Sequence, residues 1–157
     1  MMMTTSLVST INHAMEPLTK RFGLLVREES ESAMTAEVLY ANDVTAMRVT
    51  IEWLEYRPFV TLYQLEGGHL PLKTAVALAM HEKVKAFDAD ILLKLRMEGA
   101  SPVGKMFSAW NPDAALSLLS EYAVALGQHA DDVLSGDFEI FSTLEDILRR
   151  QFDALRE

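Results

Sequence analysis

The stretch "TAMRVTIEWLE", Thr45 to Glu55, decides the reading of the whole chain. Its apolar residues fall on every second position: Met47, Val49, Ile51 and Trp53 go to one face, Arg48, Thr50 and Glu52 to the other. That period of two belongs to a half-buried β-strand, because successive side chains of extended backbone point to opposite sides. Working outward, "AMTAEVLYA" repeats the pattern with Met34, Ala36, Val38 and Tyr40. "RPFVTLYQL" adds a run rich in β-formers, and "LLVREESES" a weaker one in front. Short turns at Ala41 to Asp43 and at Tyr56 to Pro58 separate them. Four such runs in succession predict an antiparallel meander over residues 24–66, with one face packed and one face wet.

The flanks change period. Leu7, Ile11, Met15, Leu18 and Phe22 recur at steps of three and four, which predicts an N-terminal helix over residues 1–23, kinked or restarted at Pro17 and stopped by Gly23. Beyond "EGGHLP", read as a turn, residues 67–157 are expected to be helical. Ala75, Val76, Ala79, Met80, Val84 and Phe87 form one stripe, and "DADILLKLRM" is a further element, read as a helix. Asn111, Pro112 and Asp113 supply an N-cap, a first-turn proline and a dipole-matched acid for a long helix. Its buried stripe should run Ala115, Leu118, Leu119, Tyr122, Leu126, His129 and Val133, ending at Gly136. Ser142 and Glu145 have capping-box spacing for a last helix with Leu144, Ile147, Leu148 and Phe152 inward. The expected fold class is therefore α+β, in one domain over residues 1–157. An N-terminal helix and a four-stranded meander are followed by three or four helices on one face of the sheet.

The densest set of ligand-type side chains is "HADDVLSGDFEIF", His129 to Phe141. A calcium loop needs alternating oxygen ligands, a glycine sixth and a bidentate acid twelfth, an order these residues do not follow. Asp131 and Asp132 would point about 100° apart on a helix. No metal site is expected here, and no cofactor. The chain has no cysteine, which removes disulfides, thiolate metal sites and cysteine nucleophiles. No serine-hydrolase elbow, phosphate loop or dinucleotide fingerprint occurs, and His13, His69, His81 and His129 show no catalytic spacing. No run approaches the roughly 20 apolar residues of a membrane span. With no basic leader at the N-terminus, a cytoplasmic protein is expected.

Charge carries more information. The net charge of -9 repels phosphate backbones and argues against nucleic acid as the main partner, whereas it attracts a basic protein. Eight acids against three arginines stand between Arg27 and Glu66, and six acids with no base between Asp131 and Asp146. From these blocks the expected partner-binding residues are Glu28, Glu29, Glu31, Glu37, Glu52, Asp131, Asp132, Asp137 and Glu139.

The same tail carries a resemblance. "LSLLSEYAVALGQHADDVLSGDFEIFSTLEDIL", Leu116 to Leu148, closes a long helix with the phrase Asp132-Val133-Leu134-Ser135-Gly136-Asp137-Phe138. With the "TIEWLEYRPFVTLYQLEGG" hairpin and the order of elements, it resembles a group of small bacterial cytoplasmic α+β proteins, some of them similar to immunity proteins that bind and silence a toxin. The segment Lys73 to Trp110 takes no part in the resemblance. It implies this fold and a binding role, and it supplies no catalytic or binding residues to carry over. The first expectation is thus a non-enzymatic interaction protein, immunity-like, that inhibits a basic protein. The alternative is a small-molecule binder or enzyme with a pocket lined by Trp53, Tyr63, Met80 and Trp110. A homodimer through an edge strand or a helix face is a further arrangement.

Overall fold

Ser6 opens the first helix: its hydroxyl accepts the Ser9 N–H at 3.0 Å, satisfying one of the donors that a helix start leaves free. In the computed structural model, which describes residues 6–52, 54–55, 57–99, 101–109 and 111–155, this helix (α1) runs Leu7–Phe22. It passes through Pro17 without a break, contrary to the expected restart. Pro17 and His13, whose carbonyl loses its partner to the missing proline N–H, both lie on the exposed side. Gly23 ends it in the left-handed conformation, φ 65°, and turns the chain back along the helix.

The strands follow as β1 Leu25–Glu31, β2 Thr35–Ala41, β3 Thr45–Glu52 and β4 Arg57–Gln64, each antiparallel to the next. Asn42 makes the β2–β3 turn by accepting the Val44 and Thr45 N–H groups through its side-chain oxygen. A fifth strand, β5 Ala86–Asp88, then adds antiparallel to β4, so the sheet order is β1-β2-β3-β4-β5. This corrects the expected four strands and the single helical stripe through Phe87. The helix α2 stops at Ala79 after Thr74, and His81 reverses the chain with φ 58°. The Lys85 carbonyl then takes the Gln64 N–H, and the Ala86 carbonyl takes the Thr74 hydroxyl at 2.6 Å.

Helices α3 Ala89–Arg96, α4 Pro112–His129, α5 Asp131–Leu134 and α6 Ile140–Leu155 complete the chain. Among the described residues five helices thus follow β4, where three or four were expected, and β5 interrupts them. Asn111 caps α4 as expected, accepting the Ala114 N–H at 2.9 Å. The expected continuous helix to Gly136 is instead broken at Ala130. Ser142 does not form a capping box with Glu145: it lies inside α6, and the Glu145 carboxylate accepts the Val84 N–H at 2.6 Å.

Ala36, Val38, Tyr40, Met47, Val49, Ile51, Val60, Leu62 and Phe87 form the inner sheet face, closed by α1, α4, α5 and α6 through Ile11, Met15, Leu119, Tyr122, Val133 and Phe141. Phe87 stacks on Phe141 with ring centroids 4.6 Å apart. The helix α1 leans on β1 and β2, α3 on β4 and β5, and α4 runs against α1 and α3. The outer face is not uniformly wet. Leu39, Ala41, Ala46, Tyr63, Leu65 and Ala86 are buried there as a second cluster. Arg27 on β1 donates to the Gly68 carbonyl at 3.1 Å, which brings the loop after β4 across this half of the face. Among the described residues no helix is long and apolar enough to cross a membrane.

Candidate interaction surface

Of the two sheet edges, one is closed and one is open. The β5 edge has three residues, Ala86 and Phe87 fully buried, and leads straight into α3. The β1 edge has seven residues, all exposed, including Leu25 at 75% and Val26 at 49%.

The position of each acid on β1 follows from one irregularity. The register against β2 slips between Val26 and Glu28, so Arg27 is an extra residue. A one-residue insertion exchanges the faces of everything after it. Val26 opposite Tyr40 is therefore on the inner side, and beyond the bulge so are Glu29, opposite Val38, and Glu31, opposite Ala36. Both reach α1. Glu31 Oε1 accepts the Val8 N–H at 2.8 Å, placing a carboxylate on the first turn of the helix, where its dipole favours negative charge. Glu29 Oε1 accepts from Asn12 Nδ2 at 2.9 Å, and Asn12 Oδ1 accepts the Tyr40 hydroxyl at 2.6 Å. Burial, and secondarily the Glu29 charge, push the Tyr40 phenol well above its usual range. Glu28, opposite Leu39, is on the outer side, and its side chain makes no hydrogen bond or ion pair among the described residues.

The remaining acids divide likewise. Glu37 is half-buried on the outer face, where its Oε1 accepts the Thr50 hydroxyl at 2.9 Å and lies 3.9 Å from Arg48 Nε. Glu52 ends β3 opposite Thr35 and Arg57. Asp132 forms a fork with Arg96, 2.7 and 2.8 Å, on α3. The guanidinium bonds hold its carboxyl below the usual range and raise Arg96 in turn. Asp137 accepts the Glu139 N–H at 3.0 Å in a tight turn. Asp131 and Glu139 are exposed.

The Asp131 to Asp146 block meets the sheet at the β2–β3 turn, the end away from Glu31 and Glu52. The Thr45 hydroxyl donates to the Val133 carbonyl at 3.1 Å, which seats α5 beside the β2–β3 turn and exposed Asp43. That turn adjoins the start of β1, since Leu25 pairs with Ala41. Asp43, counted in the first acidic block but not among the expected partner-binding residues, therefore stands beside α5; only the tertiary bond from Thr45 reveals this. Among the described residues no three His, Asp or Glu side chains are gathered as metal ligands would be.

Of the residues expected to line one pocket, Tyr63 is buried on the outer face and Met80 is 60% exposed at the end of α2. Trp53 and Trp110 lie outside the described residues. Open hollows occur instead between α1 and α4, beside Pro17, Ala123 and Gly127, and on both sides of the start of β1. Comparison of the chain with known protein families, with curated proteins and with solved structures finds no match in any of the three.

Proposed function

We propose that this chain is a non-enzymatic binding protein for a basic protein partner, acting in the manner of an immunity-like inhibitor. The observation that carries this reading is the β1 edge: seven exposed residues that include Glu28, Glu29 and Glu31, two of them fastened to α1 by hydrogen bonds. Charges fixed on a strand lose little freedom when a partner arrives, so more of the interaction energy is retained as affinity. An acidic field of this kind also raises the encounter rate with a basic surface.

Glu28 and Asp43 are the acids to test, because the side chain of neither makes a hydrogen bond or ion pair among the described residues. Basic proteins captured from the source organism would be examined by association kinetics at low salt and at about 1 M salt, where the Debye length falls to about 3 Å. Replacing Glu28→Gln and Asp43→Asn together should slow association several-fold at low salt and leave dissociation almost unchanged. Equal rates at every ionic strength, or recovery of acidic partners alone, would refute the reading.

A further inference from the structure

The open edge offers more than charge. In a two-stranded ladder about half of the N–H and C=O groups of an edge strand point away from its neighbour, and on β1 these face outward along a strand whose residues are all exposed. On the inner side, a hollow of about 430 Å³ lies between α1 and β1, lined by Asn12, Thr19, Gly23, Val26 and Tyr40. On the outer side a second hollow, also about 430 Å³, is lined by Leu25, Arg27, Ala41, Asn42 and Asp43. An added strand would direct alternate side chains to these two sides. We infer that the partner binds as a sixth strand, through an extended segment that is basic where it pairs with Glu28 to Glu31 and apolar where it passes Leu25 and Val26. This rests on the proposal above of a basic protein partner and names the form in which that partner binds.

The bulge at Arg27 divides the edge into these two parts, because it interrupts regular pairing and bends the strand. Beyond it, the paired stretch presents glutamate on both sides: Glu28 outward, Glu29 and Glu31 toward α1. Lysine or arginine at successive positions of the incoming segment would meet a carboxylate on each side. A second copy of this chain is a poor occupant. Antiparallel pairing of two Glu28–Glu31 segments would line up three carboxylates from each copy with no base among them, and like charges across a ladder repel.

The test uses the full chain and two synthetic peptides of about eight residues, each a run of successive lysines with two leucines at one end or the other, so that both strand directions are covered. One of the two orders should bind, and its glutamate counterpart should bind about tenfold or more weaker. Alternate β1 amides should gain about tenfold protection from hydrogen exchange in the complex. N-methylation of the peptide at alternate amides should abolish binding in one phase and spare it in the other. If both methylated phases bind like the parent peptide and the β1 amides are unchanged, strand addition is wrong, while the basic-partner reading stands on the charge contrast. If the glutamate peptide binds equally well, the basic-partner reading falls instead. Binding of neither lysine peptide, or a chain dimer broken by Ser30→Pro, overturns the inference.

Discussion

Replacing Asp132 by asparagine isolates what holds α5 in place. Arg96 donates to both Asp132 oxygens, at 2.7 and 2.8 Å, and to the His129 carbonyl at 2.7 Å, so one guanidinium joins α3 to the break between α4 and α5. Both side chains are 27% exposed. Hydrogen bonds to charged groups contribute about 1.5–3 kcal/mol, and fully exposed ion pairs under about 1 kcal/mol. Asparagine keeps one acceptor and loses the charge and the second bond, so Asp132→Asn should cost about 1.5 kcal/mol. Arg96→Met removes all three bonds and should cost about 2.5 kcal/mol. At about 2–4 °C per kcal/mol for a chain of this size, Tm should fall by roughly 3–6 °C and 5–10 °C. The pH sign follows from the carboxyl being lowered below its ordinary 3.8. The contribution is present above that value and is lost as the pH falls through the folded-state pKa. The gap between the parent and Asp132→Asn should therefore narrow on acidification below about pH 4. Urea unfolding followed by circular dichroism at neutral and acid pH measures both. A neutral-pH difference under about 0.3 kcal/mol, or a gap that does not change on acidification, would refute the argument.

Phe87→Ala should destabilise by about 3–5 kcal/mol, since its ring is fully buried against Phe141; a loss under about 1 kcal/mol in urea unfolding would mean that β5 is not part of the core. Burial first of all raises the phenols of Tyr40, Tyr63 and Tyr122 above 10.0. The folded chain should hold these protons while the unfolded chain gives them up, so stability should fall as the pH rises above about 10. Ultraviolet titration should then show these three tyrosines ionising at higher pH in the folded chain than in the unfolded one.

The strands β2, β3 and β4 were legible because Ala36, Val38 and Tyr40, then Met47, Val49 and Ile51, alternate strictly and each set belongs to one buried face. The α4 start was equally plain from Asn111 and Pro112. β5 was not, because three residues are too few to express a period, and Val84 and Phe87 fit a helical stripe as well as a strand. The break at Ala130 was hidden for a different reason. Leu126, Ala130, Val133 and Leu134 keep helical spacing across it, and the break coincides with a tertiary bond. The His129 carbonyl, which an unbroken helix would give to the Val133 N–H, accepts from Arg96, far away in sequence.

The acids of β1 show what composition can and cannot convey. Their number was plain, but "REESE" has no apolar alternation from which to read a phase, and the extra residue at Arg27 decides which carboxylates turn toward α1. That decision matters to function. An edge that needed only defence against stray strands would be served by charges standing free in water. Here Glu29 and Glu31 each accept a bond through Oε1 from the first half of α1, which fixes them in line along the strand and leaves each a second oxygen. The same arrangement repels an acidic strand, gives an uncharged one nothing to offset the desolvation of the carboxylates, and orders a basic one, because discrimination between partners comes from what an interface rejects as much as from what it attracts. Releasing the fastening without changing the charge separates defence from selection. Asn12→Ala keeps every carboxylate, so a merely protective edge would be unaffected, whereas an edge that selects by position should bind the lysine peptide several-fold more weakly. Unchanged affinity in that variant would show that net charge alone does the work.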